Sequence, residues 1–381
     1  MGDGTARRLL DPRSADLGFA NRFSNTVLDL PGDRAVRTAG RCGGISAVVL
    51  DHRTADLPVP RWDARLFAPA HVPPDGHLLA DAVLTRQLDS FATPSAVRFL
   101  TWSALPDADL GPVAGVRRRT RHELDRAVEM LDAGRPVVLG LVTARSPVRA
   151  GDNHQVVAYG HLRRHGRTVL LLADSNSPGH EVELDETPHG WQASNGARWR
   201  GFFVHRWAPH PPPPVPTPSR RPTRRVDGPV GLLHVTSGRA LRAGTIRSGR
   251  SPHRTDPGTP DAAVLDVRIT AGDRWRVDPA PDGGPVRVRH AATGRALVAG
   301  TGGRVRLHAD APPSWRLEVE GGGPWREGDR VRLVDDGSGR ALGTARPRRL
   351  VPVPVRHPGR LAPHLVDARS PDAWWTVAEL A

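Results

Sequence analysis

One cysteine occurs in 381 residues, and it stands in the segment Gly40-Arg41-Cys42-Gly43-Gly44-Ile45. Ile45, Val48 and Val49 follow at i, i+3, i+4, so the spacing predicts a buried helix starting at or just after Cys42. A helix N-terminus offers unbonded N–H groups and the positive end of the dipole, and both favour a thiolate. The two glycines add no side chains, which lets another group come close to the sulfur. A nucleophilic thiolate needs an imidazole to hold its charge and protonate the leaving group, and the imidazole needs an acceptor that fixes its tautomer. His154, near the start of the strand-like run 152–160, and Asp174, at the end of 168–173, supply both types. The runs flank the polar turn 163–166. In a symmetric hairpin centred on residue 164, His154 and Asp174 face each other. A bulge or a one-residue slip would separate them and bring Asn176 forward as the third member. The chemistry of such a set is nucleophilic catalysis by a thiolate paired with an imidazole. The rival reading is a small buried cysteine, a strand-start histidine bonded to backbone, and an Asp-Ser-Asn turn.

Several elements must position these residues. Residues 1–39 read as loop-rich, with Phe19 and Phe23 packing and Asn21 and Asn25 as polar residues ahead of the cysteine helix. A helix is predicted over 78–91, while 95–103 fits a strand or a short helix. Thr120-Arg121-His122-Glu123 has the form of a capping box before a helix that Gly134 ends. Residues 136–142 read as a buried strand. Trp191, Trp199, Phe202, Phe203, Val204 and Trp207 form an apolar cluster that closes a unit at 208.

Residues 209–225 are proline- and arginine-rich and read as a semi-rigid extended linker. Beyond it, Thr236-Ser237-Gly238-Arg239-Ala240-Leu241 recurs as Ala292-Thr293-Gly294-Arg295-Ala296-Leu297 and as Gly337-Ser338-Gly339-Arg340-Ala341-Leu342. An alternating strand precedes each copy, and a tryptophan strand follows, at Trp275, Trp315 and Trp374-Trp375. Three strand-rich units over 226–381 point to a β-trefoil, with the tryptophans as core plugs.

Cysteine at a helix start, followed along the chain by histidine and an acid on adjacent strands, resembles the papain-like superfamily over roughly residues 15–208. That superfamily includes peptidases, bacteriocin leader peptidases, transglutaminases and acyltransferases. The resemblance implies an α+β papain-like domain followed by an all-β trefoil domain. It implies Cys42 as nucleophile, His154 as base and acid, and Asp174 as orienter, acting on a peptide or other amide or acyl substrate. Papain-like peptidases place a glutamine a few residues before the cysteine as an oxyanion donor. No amide stands there; Asn25 is the nearest upstream candidate, with Asn21 behind it, and the Cys42 N–H is the other donor. The C-terminal part resembles MIR and ricin-type trefoils, which leaves a glycan or protein ligand open. Asp273-Arg274-Trp275 and Pro313-Ser314-Trp315 replace the Gln-x-Trp of lectin trefoils, so sugar binding does not carry over. The alternatives are an acyltransferase, and a non-enzymatic binding protein on an inactive scaffold.

The net charge of +14 sits mainly in the linker and the C-terminal part. Its arginines are scattered, not gathered in a stripe with aromatics, which speaks against a nucleic-acid partner. One cysteine excludes a disulfide framework and a multi-cysteine zinc site, and no metal or organic cofactor is implied. Neither a secretory signal nor a membrane-length apolar run is read, so a cytoplasmic location is the default, with unconventional export left open.

Overall fold

The computed structural model describes residues 6–30, 34–220, 224–244, 262–270, 272–279, 283–344 and 360–379. Two large antiparallel sheets dominate it. The first has the order Gly201–Val204, Val137–Val142, His154–Arg164, Arg167–Ala173, Glu181–Thr187, Gly190–Ala193 and Arg198–Trp199. Arg7–Arg8 pairs alongside His154–Arg164. Strand alternation sends successive side chains to opposite faces. On one face, Leu139, Val156, Ala158, Leu170 and Phe202 pack with Trp191 and with Ala127 and Leu131 of the helix Val116–Asp132. On the other, Val138, Val157, Tyr159 and Leu171 pack under the helices Cys42–Thr54 and Leu78–Phe91.

The second sheet repeats one unit three times. The hairpins Gly231–His234 with Ala240–Gly244, Arg287–His290 with Ala296–Ala299, and Val331–Asp335 with Ala341–Gly343 pair Leu233 with Ala240, Arg289 with Ala296, and Val334 with Ala341. Each tight turn holds a glycine at positive φ, at Gly238, Gly294 and Gly339. Trp275, Trp315 and Trp375 are fully buried, and each indole Nε1 donates to a leucine carbonyl, of Leu241, Leu297 and Leu342, at 2.8, 2.7 and 2.9 Å. Trp275 pairs with His290 and Trp315 with Asp335 of the next repeat, and Trp375 returns to His234 of the first. That closed threefold ring is a β-trefoil arrangement.

The expected fold class is corrected in its first part. Four α-helices lie among the described residues, and antiparallel strands make up most of the regular structure, so the chain is mostly β and not an α+β papain-like domain joined to a trefoil. Helical periodicity was the strongest pattern in residues 42–132, whereas short hairpin-linked strands carry little pattern each. Three local expectations also change. Within the stretch read as loop, Ser24–Leu30 pairs antiparallel with Arg34–Ala39. The segment left undecided near 95–103 is the helix Pro94–Ala104. The helix expected to be capped at Thr120 starts one turn earlier at Val116, and Thr120 is internal, its Oγ1 donating back to the Val116 carbonyl at 2.8 Å.

The proline segment is not a free tether. Pro216 and Pro218 are buried, Trp62 Nε1 donates to the Pro216 carbonyl at 3.0 Å, and Ser219 N donates to the Val377 carbonyl at 2.9 Å. Leu233, Val235, Ala240 and Ala378 of the trefoil sheet join the same apolar cluster as Ile45, Val49 and Trp62.

Candidate active site

Cys42 is the first residue of the helix Cys42–Thr54 and keeps partial exposure. The preceding Arg41 is buried: its guanidinium lies 4.5 Å from the Phe23 ring centre and pairs with Asp75 at 2.7 Å. That anchor fixes the turn entering the helix. Each glycine after Cys42 faces a different wall. A Cβ on Gly43 would meet the Gln155 amide at 2.6 Å, and one on Gly44 would meet the Val83 carbonyl at 2.0 Å. The bare backbone therefore serves close packing of the helix on the sheet and on its neighbour, and not only access to the sulfur.

His154 opens the strand His154–Arg164 and is buried, as is Asp174. His154 Nε2 donates to Asp174 Oδ1 at 2.7 Å. The ring also hydrogen-bonds Cys42, and with Nε2 committed, Nδ1 is the nitrogen left for the sulfur. Trp199 stacks on the imidazole with ring centres 5.8 Å apart and planes 14° from parallel. The three residues singled out in the sequence thus come together.

Burial pushes the Cys42 thiol up, but the His154 charge, the His154 hydrogen bond and the backbone N–H groups of Gln155 and Gly43 outweigh it, so the thiol is held below its ordinary value. Burial alone would lower His154. The Cys42 charge and the Asp174 hydrogen bond reverse this and raise the imidazole to about 10. Burial likewise pushes Asp174 up, and His154, Asn176 N and Asn195 hold it below the usual carboxylate range. All three directions favour a thiolate–imidazolium pair oriented by a carboxylate.

Asn176, the alternative third member, plays a supporting part. Its backbone N donates to Asp174 Oδ1 at 2.8 Å, and its Nδ2 lies 3.3 Å from His154 Nε2. Asn195 was missed in the sequence; its Nδ2 donates to Asp174 Oδ2 at 3.0 Å. It lies 21 residues downstream in a strand-end turn, where asparagine is ordinary, so no local signal marks it. Asn25 lies in the strand Ser24–Leu30 opposite Thr38, and its side chain lies outside the described residues. Asn21 stands at the cysteine turn: its Oδ1 accepts Arg41 N at 2.7 Å, and its own N donates to the Ser175 carbonyl at 2.9 Å. Among the described residues, no group of three or more His, Cys, Asp or Glu side chains could hold a metal ion. No helix among them is long and apolar enough to cross a membrane.

No family description and no curated protein matches this chain. Among solved structures it is similar to ThreeFoil, a designed threefold-symmetric protein, at 21% identity over 40% of this chain and 100% of that one, with a TM-score of 0.29. It is similar to an SDF2-like protein from Arabidopsis thaliana at 17% identity, over 40% of this chain and 92% of that one, with a TM-score of 0.28. It is also similar to lysenin, solved as a complex with phosphocholine, at 10% identity over 65% of this chain and 76% of that one, with a TM-score of 0.29.

Proposed function

We propose that the chain is a cysteine hydrolase acting on an amide or peptide bond through a thioester on Cys42. The observation that supports this reading is the His154 imidazole held between the Cys42 sulfur and Asp174 Oδ1. The thiolate attacks the acyl carbon, forming the C–S bond, and the carbonyl electron pair moves onto oxygen. The Cys42 N–H, at a helix position without an intrahelical acceptor, is one donor for that oxyanion. Asn21 Nδ2, left free to donate because Oδ1 takes Arg41 N, is the other. As the tetrahedral adduct collapses, the His154 imidazolium gives its proton to the departing amine. Neutral His154 then takes a proton from water, which attacks the thioester and releases the acid. An amine or alcohol in place of water would make the same thioester an acyl donor.

The test is active-site titration with a chromogenic acyl ester. Wild type should show a burst of one product equivalent per chain, with an acyl adduct of matching mass on Cys42. C42A should show neither. Wild-type protein without burst or adduct overturns the reading. Product analysis with added amines separates hydrolysis from transfer.

A further inference from the structure

A cavity of about 390 Å³ has Trp199, the residue stacked on the His154 ring, in its wall. Thr143 and Arg145 form another part of the wall. Asn153, directly before His154, holds that loop by accepting Thr143 N and Ala144 N at 2.9 and 3.0 Å. The cavity is thus tied to the His154 imidazole through two elements. Its charged side chains are Arg145, Arg198 and Arg200, and none of the described residues lining it is acidic. Asp107 offsets one of these charges, pairing with Arg145 at 2.9 Å and with Arg200. Arg200 is committed, its terminal nitrogens donating to the carbonyls of Trp102, Ala144 and Leu105. Arg198 is not: its Nε donates to Gln192 Oε1 at 3.0 Å, and its two terminal nitrogens meet no acceptor among the described residues.

The rest of the wall leaves that fork unfilled. Gln192 Nε2 goes to the Ala193 and Ala197 carbonyls, and Thr187 Oγ1 donates to the Gly190 carbonyl. Asp185, across the ladder from Gln192, lies outside the wall. Trp199 Nε1 is buried without a partner, a further donor that lacks an acceptor. Arg145 and His189 are exposed and add charge and a ring N–H to the same cavity. An arginine fork matches the two oxygens of a carboxylate in one plane. A carboxamide would turn its NH₂ against one of the two donors. His154 gives its proton to the departing amine, so the part of a substrate that passes the imidazole towards Trp199 belongs to the leaving side.

We propose that this cavity binds a carboxylate carried by the leaving amine of the Cys42 substrate, with the Arg198 fork on its two oxygens. The assignment to a leaving amine rests on the hydrolase reading above; the carboxylate site itself does not.

The experiment titrates the full chain carrying C42A with two peptide pairs, Gly-Glu-NH₂ against Gly-Gln-NH₂ and Gly-Gly against Gly-Gly-NH₂, and with inorganic phosphate. It follows the Trp199 indole N–H resonance by NMR, assigned by its absence from W199F. In at least one pair the carboxylate member should shift that resonance saturably and bind at least about tenfold more tightly than its amide partner. R198Q in the same chain should remove the preference. If W199F does not fold, calorimetric titration of the same pairs reads the selectivity without the assignment. The pair that discriminates tells whether the site takes an acidic side chain or a chain-terminal carboxylate. No preference in either pair, a preference that survives R198Q, or tighter binding of phosphate than of both acids overturns the proposal. Peptide binding to C42A needs no thiol chemistry, so failure of the acyl-ester titration leaves the carboxylate site standing.

Discussion

His154 and Asp174 meet at 2.7 Å although they are not opposite each other in the sheet. The ladder between their strands ends at Val157 opposite Ala173, after a bulge between Ala158 and Gly160. Continued one step, it sets Asp174 across from Val156, so His154 reaches the carboxylate diagonally, two residues away. Diagonal neighbours lie within reach of long or aromatic side chains. The diagonal leaves the other side of the imidazole to the helix terminus that carries Cys42.

That placement sets the pH behaviour of the thiol. Cys42 lies below its ordinary value because of His154, and His154 is raised to about 10. Alkylation of Cys42 by iodoacetamide should stay fast through neutral pH and fall only on the acid side of the ordinary thiol range. Turnover should fall again near pH 10, where His154 loses its proton. In H154A burial is left to dominate and the thiol rises. The rate near pH 7 should then drop by about a hundredfold. A Cys42 that alkylates no faster than free cysteine at pH 7 ends the thiolate argument.

Asp174 is the acceptor that orients the ring, and Asn176 and Asn195 support it from behind. D174N should lower turnover by about 10² to 10⁴, since the amide can fix the wrong tautomer. N176A keeps the backbone N–H on Asp174 and loses only the side-chain contact with His154, so it should cost less than about tenfold. N195A removes a hydrogen bond to the carboxylate and should cost about ten- to a hundredfold. A larger loss in N176A than in D174N would make Asn176 the third member. The carboxylate also links to stability. Its folded pKa is below the unfolded one, so its contribution is present above the ordinary carboxylate value and disappears as pH falls through the folded value. Thermal unfolding of D174N should therefore lose part of the wild-type decline on the acid side.

The grouping of Cys42, His154 and Asp174 was legible because Cys42 is the one cysteine of the sequence and the turn between Arg164 and Arg167 sets the strand that His154 opens beside the strand that Asp174 follows. The trefoil was legible because Gly238, Gly294 and Gly339 repeat one turn before one leucine and one tryptophan. The extent of the first sheet was not. Strands such as Gly190–Ala193 and Gly201–Val204 are four residues long and bury every or nearly every side chain, so alternation between faces leaves no polar mark. Nor was the diagonal contact, because the bulge at Ala158–Gly160 changes register without a proline or a special turn to signal it.

Trp199 covers the imidazole that should carry a positive charge. A cation over an indole face gains about 0.5–2 kcal/mol, so W199A should shift the basic limb of the pH–rate profile towards neutral and reduce turnover by about three- to thirtyfold. W199F keeps a ring face and should retain most of the rate. A W199A profile that overlays wild type removes the indole from the mechanism.

The trefoil and the cysteine-bearing part should unfold together. Leu233 belongs to a trefoil strand, yet it packs in the cluster that contains Ile45 and Val49 of the cysteine helix. Trp62 and Pro216 hold the intervening proline segment against that cluster. A leucine-to-alanine change in such a core costs about 2–5 kcal/mol. If the trefoil were only tethered, L233A would lower one of two transitions and leave the other in place. With a shared core, calorimetry and Cys42 accessibility should report one coincident transition in wild type, and L233A should lower both readouts together. W62F, which loses the bond to the Pro216 carbonyl and leaves part of the indole volume empty at a fully buried site, should destabilise the same transition by about 2–4 kcal/mol. Two separate transitions, with Cys42 following only the one that L233A leaves unchanged, would show the halves to be energetically independent.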